Sequence, residues 1–160
     1  MNPFFIYATE QYELVKQSRK VLLDFCAGIS PVNFLEENSS FGRGGSARNL
    51  LVHIANVYEY WIGQVGMRQN MTTTSYASKK TIQDIGLLFD QVDVIMYAFI
   101  ERFKEPQLAE ISYEINGVKG SATPLKMFSH VITHEFHHKG QVLSLSRHLG
   151  YVPVDTDMIR

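Results

Sequence analysis

Histidine is the residue whose placement in this chain could do chemistry. Five of the six histidines fall between His130 and His148. His134 and His138 lie four residues apart in a run that reads as helix, so their Cβ atoms should stand about 5–6 Å apart on one face. Two imidazoles so placed can each reach a single metal ion at about 2.0–2.1 Å. A third protein ligand must come from elsewhere, and His53 is the one histidine outside the cluster. Glu135 and His137, beside these two, are candidates to move protons. The segment His134-Glu135-x-x-His138 also matches the helical zinc-peptidase pattern, in which the glutamate activates water. The extended form of that pattern needs glycine at Gln141 and histidine at Ser144, and both are missing.

The elements that must position these residues read as helices. In the first, over 4–27, Phe5, Ala8, Tyr12, Val15, Leu22 and Cys26 recur at helical spacing, and Gly28 and Pro31 end it. A short helical turn is expected over 31–37. Asn38 to Gly45 reads as a loop. Ser46 is a suitable N-cap for a helix over 47–64, on which Leu50, His53, Val57 and Trp61 share a face. Gly66 to Lys80 is polar and reads as a connector, long enough to run back along the preceding helix. The next helix, 81–104, carries a stripe of Ile82, Ile85, Phe89, Val92, Met96, Phe99 and Phe103. Residues 108–123 alternate around Asn116-Gly117, the strongest short hairpin signal. The last helix runs from Pro124 to Leu149, with Gly150 as its stop. Its core stripe is Met127, Val131, His134, His138, Val142, Leu145 and Leu149. The two histidines thus replace apolar residues in mid-stripe. A lone inward histidine such as His53 is more often a hydrogen-bonded core residue than a ligand. Two imidazoles in apolar surroundings, however, are costly to bury unless their nitrogens are satisfied, and a shared metal does that. Together they point to a His53–His134–His138 site. Three neutral imidazoles suit zinc, nickel, cobalt or iron, one divalent ion per chain.

Composition narrows the function classes. The 160 residues suit one domain, 1–160, and a formal net charge of −1 offers no electrostatic case for nucleic acid or a membrane surface. The single cysteine, Cys26, excludes an internal disulfide framework and sits in an apolar run. No apolar stretch is long enough to span a membrane, and the opening residues lack the pattern of a secretory leader, so the expected location is cytoplasmic.

The stretch His134-Glu135-x-His137-His138-Lys139-Gly140-Gln141, followed by Leu143 to Gly150, resembles the closing helix of the DinB/YfiT-like superfamily. Ser46-Ala47-Arg48-Asn49-Leu50-Leu51-Val52-His53-Ile54-Ala55 resembles that superfamily's second-helix histidine motif. The order of elements also fits, and the resemblance covers nearly the whole chain. One departure is Lys139, where members often carry arginine. The resemblance implies an all-α, up-down-down-up four-helix bundle with a small β-hairpin between the third and fourth helices. It implies metal ligation by His53, His134 and His138, and a homodimer. It further implies a metal-dependent enzyme that transfers a low-molecular-weight thiol to a small-molecule electrophile. Metal-dependent hydrolysis of a small substrate, or a non-catalytic, stress-linked metal-binding role, stand as alternatives. Gln141, His130, Trp61 and Tyr60 are the residues expected to steady the ligands or touch a substrate.

Overall fold

The computed structural model describes residues 3–37, 45–105 and 110–160. Five α-helices and one hairpin follow in order: α1 (Pro3–Cys26), α2 (Pro31–Leu35), α3 (Ala47–Tyr58), α4 (Ile82–Arg102), β1 (Ile111–Ile115), β2 (Val118–Ala122) and α5 (Pro124–His148). The hairpin thus lies between α4 and α5. Among the described residues, no helix is long and apolar enough to cross a membrane.

The helix ends follow local chemistry. The Ser46 side chain accepts from the Asn49 amide at 2.9 Å, so α3 starts where a free hydroxyl meets an orphan donor. Thr81 and Asp84 form a reciprocal capping box at the start of α4. Thr123 caps α5 and Pro124 occupies its first turn. Gly150, at φ 89°, closes α5: the Tyr151 amide reaches back to the Ser146 carbonyl at 3.0 Å and the Gly150 amide to Arg147 at 3.1 Å. Asn116 (φ 52°) and Gly117 (φ 78°) make the hairpin turn, both in the left-handed region that a two-residue turn of this kind requires. The register pairs Tyr113 with Gly120. The loop expected over Asn38 to Gly45 lies mostly outside the described residues, as does the start of the alternating stretch expected from residue 108.

α3 is the central element. It packs most extensively against α5 and also against α4 and α2. Ten of its twelve residues are buried, so it has no solvent face of the usual kind. Its α-helical register was expected to run to residue 64 but ends at Tyr58. From Glu59 to Gly66 the helix widens to π spacing, with the Met67 amide bonded to the Ile62 carbonyl at 2.8 Å. Two close contacts anchor this segment at its ends. Glu59 is buried and holds Thr74 through its backbone amide and its hydroxyl, each at 2.7 Å. Gly66 faces the Phe99 ring so closely that a Cβ there would stand 2.8 Å from it. The connector after α3 is therefore pinned rather than loose, and Arg48 adds bonds to the Tyr76 and Lys79 carbonyls at 3.0 and 3.1 Å.

Candidate metal centre

α3 and α5 bring His53, His134 and His138 together. One ligand-capable atom from each lies within 4.8 Å of the others. The Nε2 atoms of His53 and His134 are 3.1 Å apart. Two nitrogens bound to one tetrahedral ion at ordinary zinc distances would stand about 3.3 Å apart, so this pair already has close to the required separation. The rings of His53 and His138 have centroids 4.6 Å apart, and those of His134 and His138 are 4.4 Å apart. His53 and His138 are buried and His134 is half-buried, which leaves one side of the cluster open.

The electrostatics favour neutral ligands. Burial, then the nearby His138 and His53, lower the His134 pKa to about 4. At neutral pH its imidazole therefore keeps a lone pair for coordination. Gln141 Oε1 lies 2.6 Å from His138 Nδ1. As an acceptor it receives a hydrogen bond from Nδ1–H, which keeps the proton on Nδ1 and leaves Nε2 as the lone-pair nitrogen, the usual way an outer hydrogen bond fixes a ligand tautomer. The donor set of three imidazoles with no thiolate fits zinc, nickel, cobalt or iron. One further detail marks the region. Among the described residues, Asn56 Oδ1 is a buried polar atom without a hydrogen-bond partner, and Asn56 lies one turn beyond His53.

The other candidates are distributed around this cluster. His130 is exposed, its ring centroid 5.9 Å from that of His134 and 5.3 Å from that of Trp61. Tyr60 packs edge-on to Trp61 at 5.3 Å. His137 is exposed, with its ring 4.8 Å from that of His138. Glu135 is placed differently. It is buried, it accepts two bonds from Arg19 at 3.0 and 2.9 Å, and it accepts the Tyr58 hydroxyl at 2.6 Å. Its carboxylate is thus committed to α1 and α3 rather than to the histidines, because a buried charge needs a partner of opposite sign.

This ionic cluster is the feature that sequence reasoning missed. Arg19 also donates to Asp93 at 2.7 Å, and the Tyr12 hydroxyl donates to the same carboxylate oxygen at 2.7 Å. Lys139 is buried as well. It donates to the Ser18 hydroxyl, which in turn donates to the Thr156 carbonyl, and it stands 4.0 Å from Glu135. Burial alone would lower the Arg19 pKa, but Glu135, Tyr12 and Tyr58 together outweigh it and raise it, so the guanidinium stays charged. Burial and the Glu135 charge raise Tyr58, keeping it a donor. A signal did exist. Val15, Arg19, Leu22 and Cys26 step by four, three and four along the α1 stripe. On α5, Phe128, Ile132, Glu135, Lys139, Val142 and Ser146 form a second buried stripe.

A mainly helical chain that gathers three imidazoles from two helices, supported by a glutamine and flanked by a neutralised ion pair, belongs to the class of helical proteins with a candidate metal centre. More particularly, the chain belongs to the DinB family, whose family model matches residues 3–160. No curated protein matches the sequence.

Proposed function

We propose that the chain is a metal-dependent enzyme that transfers a low-molecular-weight thiol to a small electrophile. The observation that carries this reading is the convergence of His53, His134 and His138 on one point, with ligand atoms within 4.8 Å. Three protein ligands leave coordination positions open, the arrangement of catalytic rather than closed structural sites. A divalent ion held there would supply Lewis acidity and keep a bound thiol deprotonated at neutral pH, where a free thiol of pKa about 8.5 is mostly protonated. The thiol has to come from outside. Cys26 is buried, and burial pushes its pKa up to about 12, so it is no internal nucleophile.

The balance is that of a substitution. The thiol sulfur forms a bond to the electrophilic carbon, the leaving group departs with its bonding electrons, and the thiol proton ends on the leaving group. His137, exposed beside His138, is the side chain placed to carry that proton. Glu135 is not, since Arg19 and Tyr58 hold it. That arrangement also removes Glu135 from the hydrolytic alternative and leaves His137 as the proton carrier for either reaction. We further propose that the four longer helices form an up-down-down-up bundle as one domain and that the protein is a cytoplasmic homodimer. Light scattering at micromolar concentration tests the dimer.

Cobalt substitution tests the reaction class. Glutathione-like and cysteinyl-sugar thiols added to the cobalt form should produce an intense sulfur charge-transfer band that His138→Ala abolishes. If no thiol perturbs the spectrum and a water-derived ligand titrates near pH 7, hydrolysis replaces thiol transfer.

A further inference from the structure

Beside the histidine cluster is a group of aromatic rings that the metal chemistry does not use. Trp61 lies in the π-helical segment that follows the His53 helix. Tyr113, on β1, stands 5.1 Å from it at 84° between planes. His130 stands 5.3 Å away at 73°, and Tyr60 stands 5.3 Å away at 81°. Three rings thus meet one indole near right angles, and His130 joins this corner to His134 at 5.9 Å between centroids.

The corner is built rather than incidental. Across the hairpin from Tyr113 is Gly120, where a Cβ would stand only 2.6 Å from the tyrosine ring. Glycine there lets the ring lie against the strand while it meets Trp61. The widening of the helix at Glu59, fixed by the Thr74 bonds, sets where Trp61 emerges. Tyr60, Trp61 and Tyr113 all remain half-exposed. No hydrogen bond engages the Trp61 indole N–H or the hydroxyls of Tyr60 and Tyr113 among the described residues, so three polar handles border an apolar corner.

We propose that the histidine centre opens onto a subsite for a neutral, planar aromatic or heteroaromatic group, formed by Trp61, Tyr113, Tyr60 and His130. Perpendicular rings suit such a guest, which can stack offset on one ring while presenting its edge to another. A cationic guest is the other occupant an aromatic corner can take. It is disfavoured here because the corner adjoins a centre meant for a divalent cation. This inference rests on the proposed thiol transfer only in naming the guest as part of the electrophile.

Trp61 is the only tryptophan in the chain, so the protein has one indole N–H resonance. Titrating uniformly 15N-labelled full chain with benzyl alcohol should shift that resonance saturably, with or without added zinc. Cyclohexylmethanol, of similar size but not planar, should bind about three- to tenfold more weakly, the ratio expected of an aromatic pair. Tetramethylammonium should bind more weakly still. Tyr113→Leu and His130→Ala should each weaken benzyl alcohol binding, and the exposed position of His130 makes the second variant safe for folding. The inference is overturned if benzyl alcohol gives no saturable shift, if cyclohexylmethanol or tetramethylammonium binds equally well, or if both variants bind as the parent does. Saturation by benzyl alcohol in a protein that takes up no metal would sink the metal reading and leave this one standing. The reverse pair of results would sink this one alone.

Discussion

α5 carries two polar pairs one residue apart, His134 with His138 and Glu135 with Lys139, and they solve burial in opposite ways. The Glu135–Lys139 side is complete within the chain. Glu135 takes donors from Arg19 and Tyr58, Arg19 reaches on to Asp93, and Lys139 is tied through Ser18 to Thr156. Opposite charges from α1, α4 and α5 neutralise one another there. On the His134–His138 side, His134 Nε2 meets another imidazole nitrogen, Nε2 of His53, at 3.1 Å. Like groups face like groups there, and the three imidazoles bring ligand atoms within 4.8 Å of one another, a set that could hold one metal ion. One face of the helix is tied into the fold, and the other carries the candidate metal centre.

The largest effect should come from breaking the self-contained side. Arg19→Met strips the buried Glu135 carboxylate of its two guanidinium bonds, leaving only Lys139 at 4.0 Å as a nearby cation, and should cost about 3–5 kcal/mol of folding stability, read by urea denaturation. Adding Glu135→Gln should return most of that loss, since the orphan charge is then gone. If Arg19→Met alone costs under about 1 kcal/mol, the pair is not the fold-holding contact described above.

The histidine side should respond to metal where the ionic side does not. Zinc at a hundredfold excess over its dissociation constant should stabilise the protein by about 2.7 kcal/mol. His134→Ala should erase that increment while changing the metal-free stability little. A zinc-induced stabilisation that survives His134→Ala would place the ion elsewhere.

Smaller again is the contribution of Gln141, which acts through His138. Gln141→Ala should weaken metal affinity by about 10- to 100-fold in a competition titration, the usual cost of losing a partner behind a ligand. Gln141→Glu, which keeps an acceptor at that place, should recover much of it.

The pH dependence separates the two sides most gently. His134 titrates at about 4 when folded, against 6.5 as its ordinary value. Between these values the unfolded chain binds more protons, so the metal-free protein should gain stability as pH rises through this window and level off above it. Lys139, lowered by burial from 10.5 to about 8, obeys the same sign in a higher window, with stability rising above pH 8. His134→Ala should flatten the lower rise alone and Lys139→Met the upper one alone. A profile in which either substitution flattens both would mean that the two sides are coupled.

The two sides also differ in how much of each was legible in the sequence. The four-residue spacing of His134 and His138 in an apolar stripe is a direct statement about one helix face, and His53 was the one remaining histidine. The helix caps at Ser46 and Thr123, the stop at Gly150 and the Asn116-Gly117 turn are written in residues whose local conformational preferences are strong. The ionic side was hidden because charged residues on a helix ordinarily face water. Glu135 read as a proton carrier beside the histidines, whereas its partners come from residues 19 and 58, which only the tertiary fold brings near. The π-helical segment from Glu59 was equally invisible. It begins at the residue that accepts two bonds from Thr74, fifteen residues on, and nothing in the hydrophobic spacing of Val57, Trp61 and Ile62 announces it.

The central claim is that His53, His134 and His138 together hold one ion. Elemental analysis of purified protein, parent and variants, tests it most directly. The expected result is close to one divalent metal per chain in the parent and in His148→Ala, and loss of that metal in His53→Ala, His134→Ala and His138→Ala. Full retention of metal after His53→Ala would contradict it.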